Sequence, residues 1–137
     1  MRFMMLVKSA GNSGPPPKEL MDAIAKLSAD AGKSGTMIET GGLAPAAMST
    51  RVRLAQGKIT ALDGPFAETR ELVGGYAVFE FKSKEEAVES ALRFMELHRK
   101  HWPGWEGETE IRQMFTQQDY TCETGRLALK SDSARGA

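Results

Sequence analysis

The chain is almost without cysteine. Its one thiol, Cys122, excludes an internal disulfide and fits a reducing compartment, so the cytoplasm is the expected location. It also lacks a dominant charge: Lys+Arg and Asp+Glu both number 18. That balance removes the basic excess that nucleic-acid binding requires and any acidic tail. No apolar run approaches the ~20 residues that cross a bilayer, so no membrane partner is expected. The apolar start, Met1 to Val7, turns polar at Lys8 and is too short for a signal-peptide core of about 7–15 residues. There is no internal repeat. What remains is 137 residues with 41% hydrophobic and 26% charged content, the composition of a single globular domain able to bury a core.

Residues 3–7 form a continuous apolar run of strand length. A Gly, Asn, Ser and Pro loop at 11–17 leads into a helix, where Leu20, Met21, Ile24, Leu27 and Ala31 recur at helical spacing. Gly32 and Gly35 are stop signals, and residues 36–39 read as a second strand ended by Gly41-Gly42. Residues 51–54 and 58–62 alternate with period two around Gln56-Gly57, the pattern of a hairpin. Residues 76–81 give the clearest strand, with Tyr76, Val78 and Glu80 on one face and Ala77, Phe79 and Phe81 on the other. Ser83 and Glu86 form a capping box for a second helix, whose expected buried stripe is Val88, Ala91, Leu92 and Met95, widened by Ala87 and Phe94. Pro103-Gly104 ends it, and 109–115 alternates as a last strand. From Thr116 the periodicity fades, so the expected division is a domain over 1–115 and a partly disordered tail over 116–137. Without its inserted hairpin the order is βαββαβ, an α+β ferredoxin-like pattern. Two helices leave one sheet face for solvent or a partner, and a sheet-to-sheet homodimer would bury it.

In the turn Asp63-Gly64-Pro65-Phe66, Gly64 can adopt positive φ and Pro65 fixes the next φ. The turn is followed by Glu68-Thr69-Arg70-Glu71 and then Gly74-Gly75-Tyr76. This run resembles the DGPF motif of the YCII-related family. The opening Phe3-Met4-Met5-Leu6-Val7, the segment Glu39-Thr40-Gly41-Gly42-Leu43-Ala44-Pro45 and the late Glu110-Ile111-Arg112 are also similar to their counterparts, so the resemblance covers roughly residues 1–115. It implies a dimeric α/β barrel of ferredoxin-like halves, with a cleft lined by the turn and by strand ends. Some members of the family are thought to be small enzymes using a His–Asp pair, while the DGPF branch is often linked to sigma factors of the extracytoplasmic-function type. This sequence departs from the His–Asp branch, because its only histidines are His98 and His101.

Asp63 is the leading catalytic candidate, a carboxylate able to act as a general base if burial raises its pKa; it can equally accept backbone N–H bonds within its own turn. Arg51 and Arg53 share one strand face, as do Glu110 and Arg112. In a cleft, such arginines bind a small anionic ligand, a carboxylate or phosphate; on an exposed edge they are solvated charges or cross-strand ion pairs. The candidate binding set is Glu39, Arg51, Arg70, Tyr76 and Arg112, with Tyr76 donating a hydrogen bond and Arg51 or Arg70 holding the anion. His98-x-x-His101 lacks the Glu and third ligand of a zinc site and reads as helix-end packing, and Gly41-Gly42 is not a phosphate loop. Neither a metal nor another cofactor is expected. The two functions that fit are a small-molecule-binding domain or enzyme working by acid/base chemistry, and a non-catalytic regulatory protein associated with a sigma factor.

Overall fold

The apolar run at the N-terminus lies at the heart of the sheet in the computed structural model, which describes residues 1–9, 14–66, 72–123 and 126–129, with side chains through 119 except 118. Strand β1 (Arg2–Ser9) pairs on one side with β5 (Leu72–Glu80) and on the other with β6 (Gly107–Gln113), while β2 (Met37–Gly42) pairs with the far edge of β5. All three pairings are antiparallel, and the order across the sheet is β2-β5-β1-β6. With α1 (Lys18–Lys33) and α2 (Lys84–His101), this is a mixed α+β architecture compatible with a ferredoxin-like fold. The hairpin β3 (Thr50–Ala55) and β4 (Lys58–Asp63) is inserted between β2 and β5 as a two-stranded sheet of its own.

Both helices cover the same sheet face. Met5, Phe79 and Ala91 form the buried cluster, with Ala31, Met37, Ala77, Phe81 and Ile111 packed against it. Leu20 is the deepest side chain of α1 at 1% exposure. The alternation expected for 76–81 holds, since Ala77 and Phe79 lie under the helices beside Met5 and Phe3. The hairpin turn also forms as expected: Gln56 and Gly57 both have positive φ, as a tight primed turn requires. α1 stops at Gly35, whose φ of 77° is the left-handed conformation typical of a helix end.

Four expectations need correction. The second strand does not stop before Gly41-Gly42; β2 runs through both, and β5 begins at Leu72 and runs through Gly74-Gly75. Here glycine makes room rather than breaking a strand. A Cβ on Gly41 would sit 3.0 Å from the Tyr76 ring, and one on Gly75 would sit 3.2 Å from the Gly41 carbonyl oxygen. The last strand is displaced toward the N-terminus, ending at Gln113 and leaving Phe115 exposed. The buried stripe of α2 is rotated: Ala87, Ala91 and His98 are buried, whereas Leu92 is 66% exposed and Val88 lies at the surface. Alanines on the inner line bring the helix close to the sheet, and His98 is drawn inward among aromatic rings. Finally, the Glu86 carboxylate accepts from the N–H of Lys82 (2.9 Å) rather than from that of Ser83, while Ser83 Oγ accepts from Glu86 N–H (3.2 Å) as a cap should.

Beyond residue 115, β7 (Tyr120–Glu123) and β8 (Arg126–Leu129) pair antiparallel, a ladder that the fading periodicity does not announce. Residues 130–137 and Arg70 with its neighbours 67–71 lie outside the described residues. No helix among the described residues is long and apolar enough to cross a membrane.

Two substitutions test this packing by thermal or urea unfolding. A Cβ at Gly107 meets the Lys8 carbonyl oxygen and the Trp105 ring well inside contact distance, so Gly107→Ala should cost about 1–3 kcal/mol. Ser83→Ala removes the α2 cap and should cost about 1 kcal/mol.

Candidate functional site

The antiparallel register places the polar residues of the uncovered sheet face in rows. Tyr76 of β5 lies opposite Gly41 of β2 and Leu6 of β1, and Leu6 lies opposite Glu110 of β6. The adjacent row contains Glu39, Val78, Met4 and Arg112. Because side chains alternate across a sheet, all of these point away from the helices. An apolar strip of Met4, Leu6 and Val78 therefore runs between two polar groups, one on β2–β5 and one on β1–β6.

The first group is a single short hydrogen bond. The Tyr76 hydroxyl donates to Glu39 Oε1 at 2.8 Å, with the phenol ring resting on Gly41. This bond, with partial desolvation and the Glu39 charge, raises the Tyr76 pKa above its ordinary value. The phenol is thus held neutral with its proton directed at a carboxylate. The second group is an ion-pair network. Glu110 Oε2 is shielded from solvent and lies 3.1 Å from Lys8 Nζ, while Oε1 accepts from Arg112 Nε at 3.2 Å. Lys8 also approaches Glu108 at 4.0 Å. Lys8 first, and Arg112 after it, hold the Glu110 carboxyl below its usual range despite desolvation acting the other way.

The structure thus brings Tyr76 and Glu39 together and places Arg112 on the same face, two strands away. Lys8 was not among the candidates. It belongs to the set because β1 extends beyond Val7, and continuing the period-two alternation by one residue would have found it.

Asp63 and Arg51 lie elsewhere, on the inserted hairpin. Asp63 closes its base: Oδ1 accepts from the Thr50 hydroxyl at 2.6 Å, and Gly64 N–H donates to the Ser49 carbonyl at 2.8 Å. The Gly64–Pro65 peptide after it is cis. Arg51 stacks its guanidinium 3.8 Å from the centre of the Phe66 ring, a cation–π contact. Asp63 pairs with Thr50 and Arg51 with Leu62, so the two charged residues occupy opposite faces of the hairpin. Arg70, the other candidate anion holder, lies outside the described residues. His98 is buried and His101 half-buried at the end of α2, and no group of metal-binding side chains occurs among the described residues.

The two pKa shifts have opposite signs and separate tests. In Glu39→Ala, the Tyr76 titration followed by tyrosine ring NMR should fall back toward the ordinary phenol value near 10, with Tyr120 as an internal reference. A depressed carboxylate stabilises the fold above its unfolded pKa and loses that contribution as pH falls through the folded value. Lys8→Met should therefore raise the Glu110 pKa in a carboxylate NMR titration. It should also make stability fall less steeply on acidification through the carboxylate range.

Comparison with known proteins agrees with this architecture. The family model of the YCII-related domain matches residues 1–94, which include β1 to β5 and the first part of α2. No curated protein matches the sequence at a significant level. With about two thirds of its length matched by that one family model, the chain belongs to the YCII-related family.

Proposed function

We propose that this YCII-related protein is a homodimeric small-molecule-binding domain or small enzyme of the DGPF branch. In this reading two ferredoxin-like sheets face each other as an α/β barrel in the cytoplasm, and a small anion is held against the polar sheet face. The observation that carries the proposal is the arrangement of Tyr76–Glu39 and Lys8–Glu110–Arg112 on either side of the Met4, Leu6 and Val78 strip. Neither helix lies on that face, and a mixed apolar and polar surface with convergent donors is what a ligand cleft needs. Arg112 would contribute the bidentate guanidinium that suits a carboxylate or phosphate, and the Tyr76 hydroxyl would donate to the same ligand.

The proposal gives Asp63 the acid/base role. Its Oδ1 is occupied by Thr50, which fixes the carboxylate, and Oδ2 is left to accept a proton. Arg51 and Arg70, on and after the hairpin, would approach the anion from the other side of the cleft. In this reading a second copy would bring the hairpin turn to the polar sheet face, with Asp63 hydrogen-bonded to Thr50 on the hairpin and Tyr76 to Glu39 on the sheet. One observation favours the alternative, a non-catalytic interaction protein acting with a sigma factor. The hairpin face that carries Val52, Leu54 and Ile59 is apolar and exposed, at 72%, 69% and 69% respectively.

Light scattering and a thermal-shift screen of small carboxylates and phosphates test this reading together. The expected result is a dimeric mass and at least one anion that stabilises the protein, by ~2.7 kcal/mol at a hundredfold excess over its dissociation constant. Arg112→Gln should abolish that shift, and Asp63→Asn should keep binding while losing turnover. A mass that stays monomeric at every concentration would remove the assembly. Stabilisation that survives Arg112→Gln would remove the anion site from this face.

A further inference from the structure

A second space lies on the opposite side of the sheet, where α1 and α2 do not fill the volume above it. It measures about 710 Å³, within the ~300–1,000 Å³ typical of small-molecule sites. Its walls are mainly apolar, with Leu20, Ile24, Phe79, Phe94 and Trp105 among the lining residues. Among the described lining residues, the ionic ones besides histidine are Asp30 and Arg93, and both are exposed.

One polar side chain is buried in this wall. His98 is 5% exposed, with the rings of Phe94 and Trp105 each 4.6 Å from its own. Its Nδ1 lies 3.0 Å from the Phe94 carbonyl oxygen. A carbonyl only accepts, so Nδ1 carries a proton toward it, and in that tautomer of the uncharged ring Nε2 is the acceptor. Among the described residues Nε2 has no hydrogen-bond partner. Thr109, also in the wall, donates its hydroxyl to the Met95 thioether at 3.1 Å, a weak acceptor. A largely apolar space with an unused imidazole acceptor in its wall suits a ligand that is apolar except for one hydrogen-bond donor.

We infer that this cavity is a binding site for an uncharged, largely apolar small molecule whose hydroxyl donates to His98 Nε2. A charged ligand is disfavoured, because no counter-charge lies inside among the described residues to compensate its loss of water. The cavity reaches β2 and β5 at Gly41 and Tyr76, but its apolar lining is the opposite chemistry to the ion-pair network on the polar face. It also assigns His98 a role as a neutral acceptor rather than a metal ligand.

Phenol and toluene, nearly isosteric and differing in the hydroxyl, are the probes. In ¹H–¹⁵N spectra of the full chain, phenol should produce saturable shifts at Phe94, His98, Trp105 and Thr109. The His98 Nε2 resonance should move as for a new hydrogen bond while Nδ1 stays put. The phenol-to-toluene affinity ratio should drop about fivefold in His98→Phe, the effect of one hydrogen bond, with solvation differences between the probes cancelling. Absence of saturable shifts at the cavity residues would overturn the proposal, as would an unchanged ratio in a folded His98→Phe variant. Should that variant fail to fold, the Nε2 response of the unsubstituted protein decides: a ring nitrogen unmoved at saturating phenol rejects the role of His98.

Discussion

Strand β1 is the constraint on which the rest of the molecule depends. It is the only strand hydrogen-bonded to both β5 and β6, and its alternation sets which side chains meet the helices and which face away. Phe3 and Met5 are buried on one side, and Met4, Leu6 and Lys8 occupy the other. A slip of one residue would bury Lys8 and expose Met5, so the hydrophobic pattern holds the register firmly. The one irregularity falls between Val7 and Lys8, where the pairing with β5 skips Gly74 while the pairing with β6 continues unbroken. A glycine is well suited to that extra position. The consequence is local and useful: Lys8 keeps its alignment with β6, within reach of Glu108 and Glu110.

Most of the scaffold was legible because it rests on period-two and period-3.6 patterns. The strand at 76–81, the hairpin around Gln56-Gly57 and the Ser83 cap all follow from residue type and spacing. Legibility failed at the glycines. In sequence, Gly41-Gly42 and Gly74-Gly75 resemble strand ends, and only the pairing of β2 with β5 reveals that they face one another across a ladder. The absent side chain of Gly41 admits the Tyr76 ring, a reason that depends on a residue 35 positions away. The α2 stripe failed for a related reason. Two neighbouring lines of that helix are apolar, and tertiary packing by Phe94 and Trp105 around His98 selects the line containing the small alanines.

The candidate site divides in the same way. Glu39, Tyr76 and Arg112 were visible as residue types, and their sharing of a face follows from alternation once the strand order is known. Lys8 escaped because the first strand was expected to end one residue before it. The 710 Å³ cavity has no sequence signature at all, since its walls come from β1, α1, β2, β5, α2, β6 and the turn leading into β6. Asp63 is a different case. Its motif is conspicuous in sequence because backbone restriction is conspicuous, yet the structure shows the carboxylate tying the two ends of a hairpin through Thr50. A two-stranded ladder is marginal by itself, so a bond at its open end has structural value whatever else the residue does.

Alternation also explains how one thin sheet can present two unlike surfaces. Thr109 and Glu110 are neighbours in β6, yet Thr109 lines the apolar cavity while Glu110 belongs to the polar face. On the polar face every charge has a counter-charge or a hydrogen-bond donor, so an incoming anion exchanges partners rather than arriving unpaired. In the cavity the same anion would lose its water and find one imidazole acceptor, which repels it unless a proton arrives as well. An uncharged hydroxyl meets the reverse situation, gaining an acceptor in the cavity but competing with established ion pairs on the face. If both surfaces bind as proposed, the sheet's period of two would let a ligand's charge decide which side it occupies.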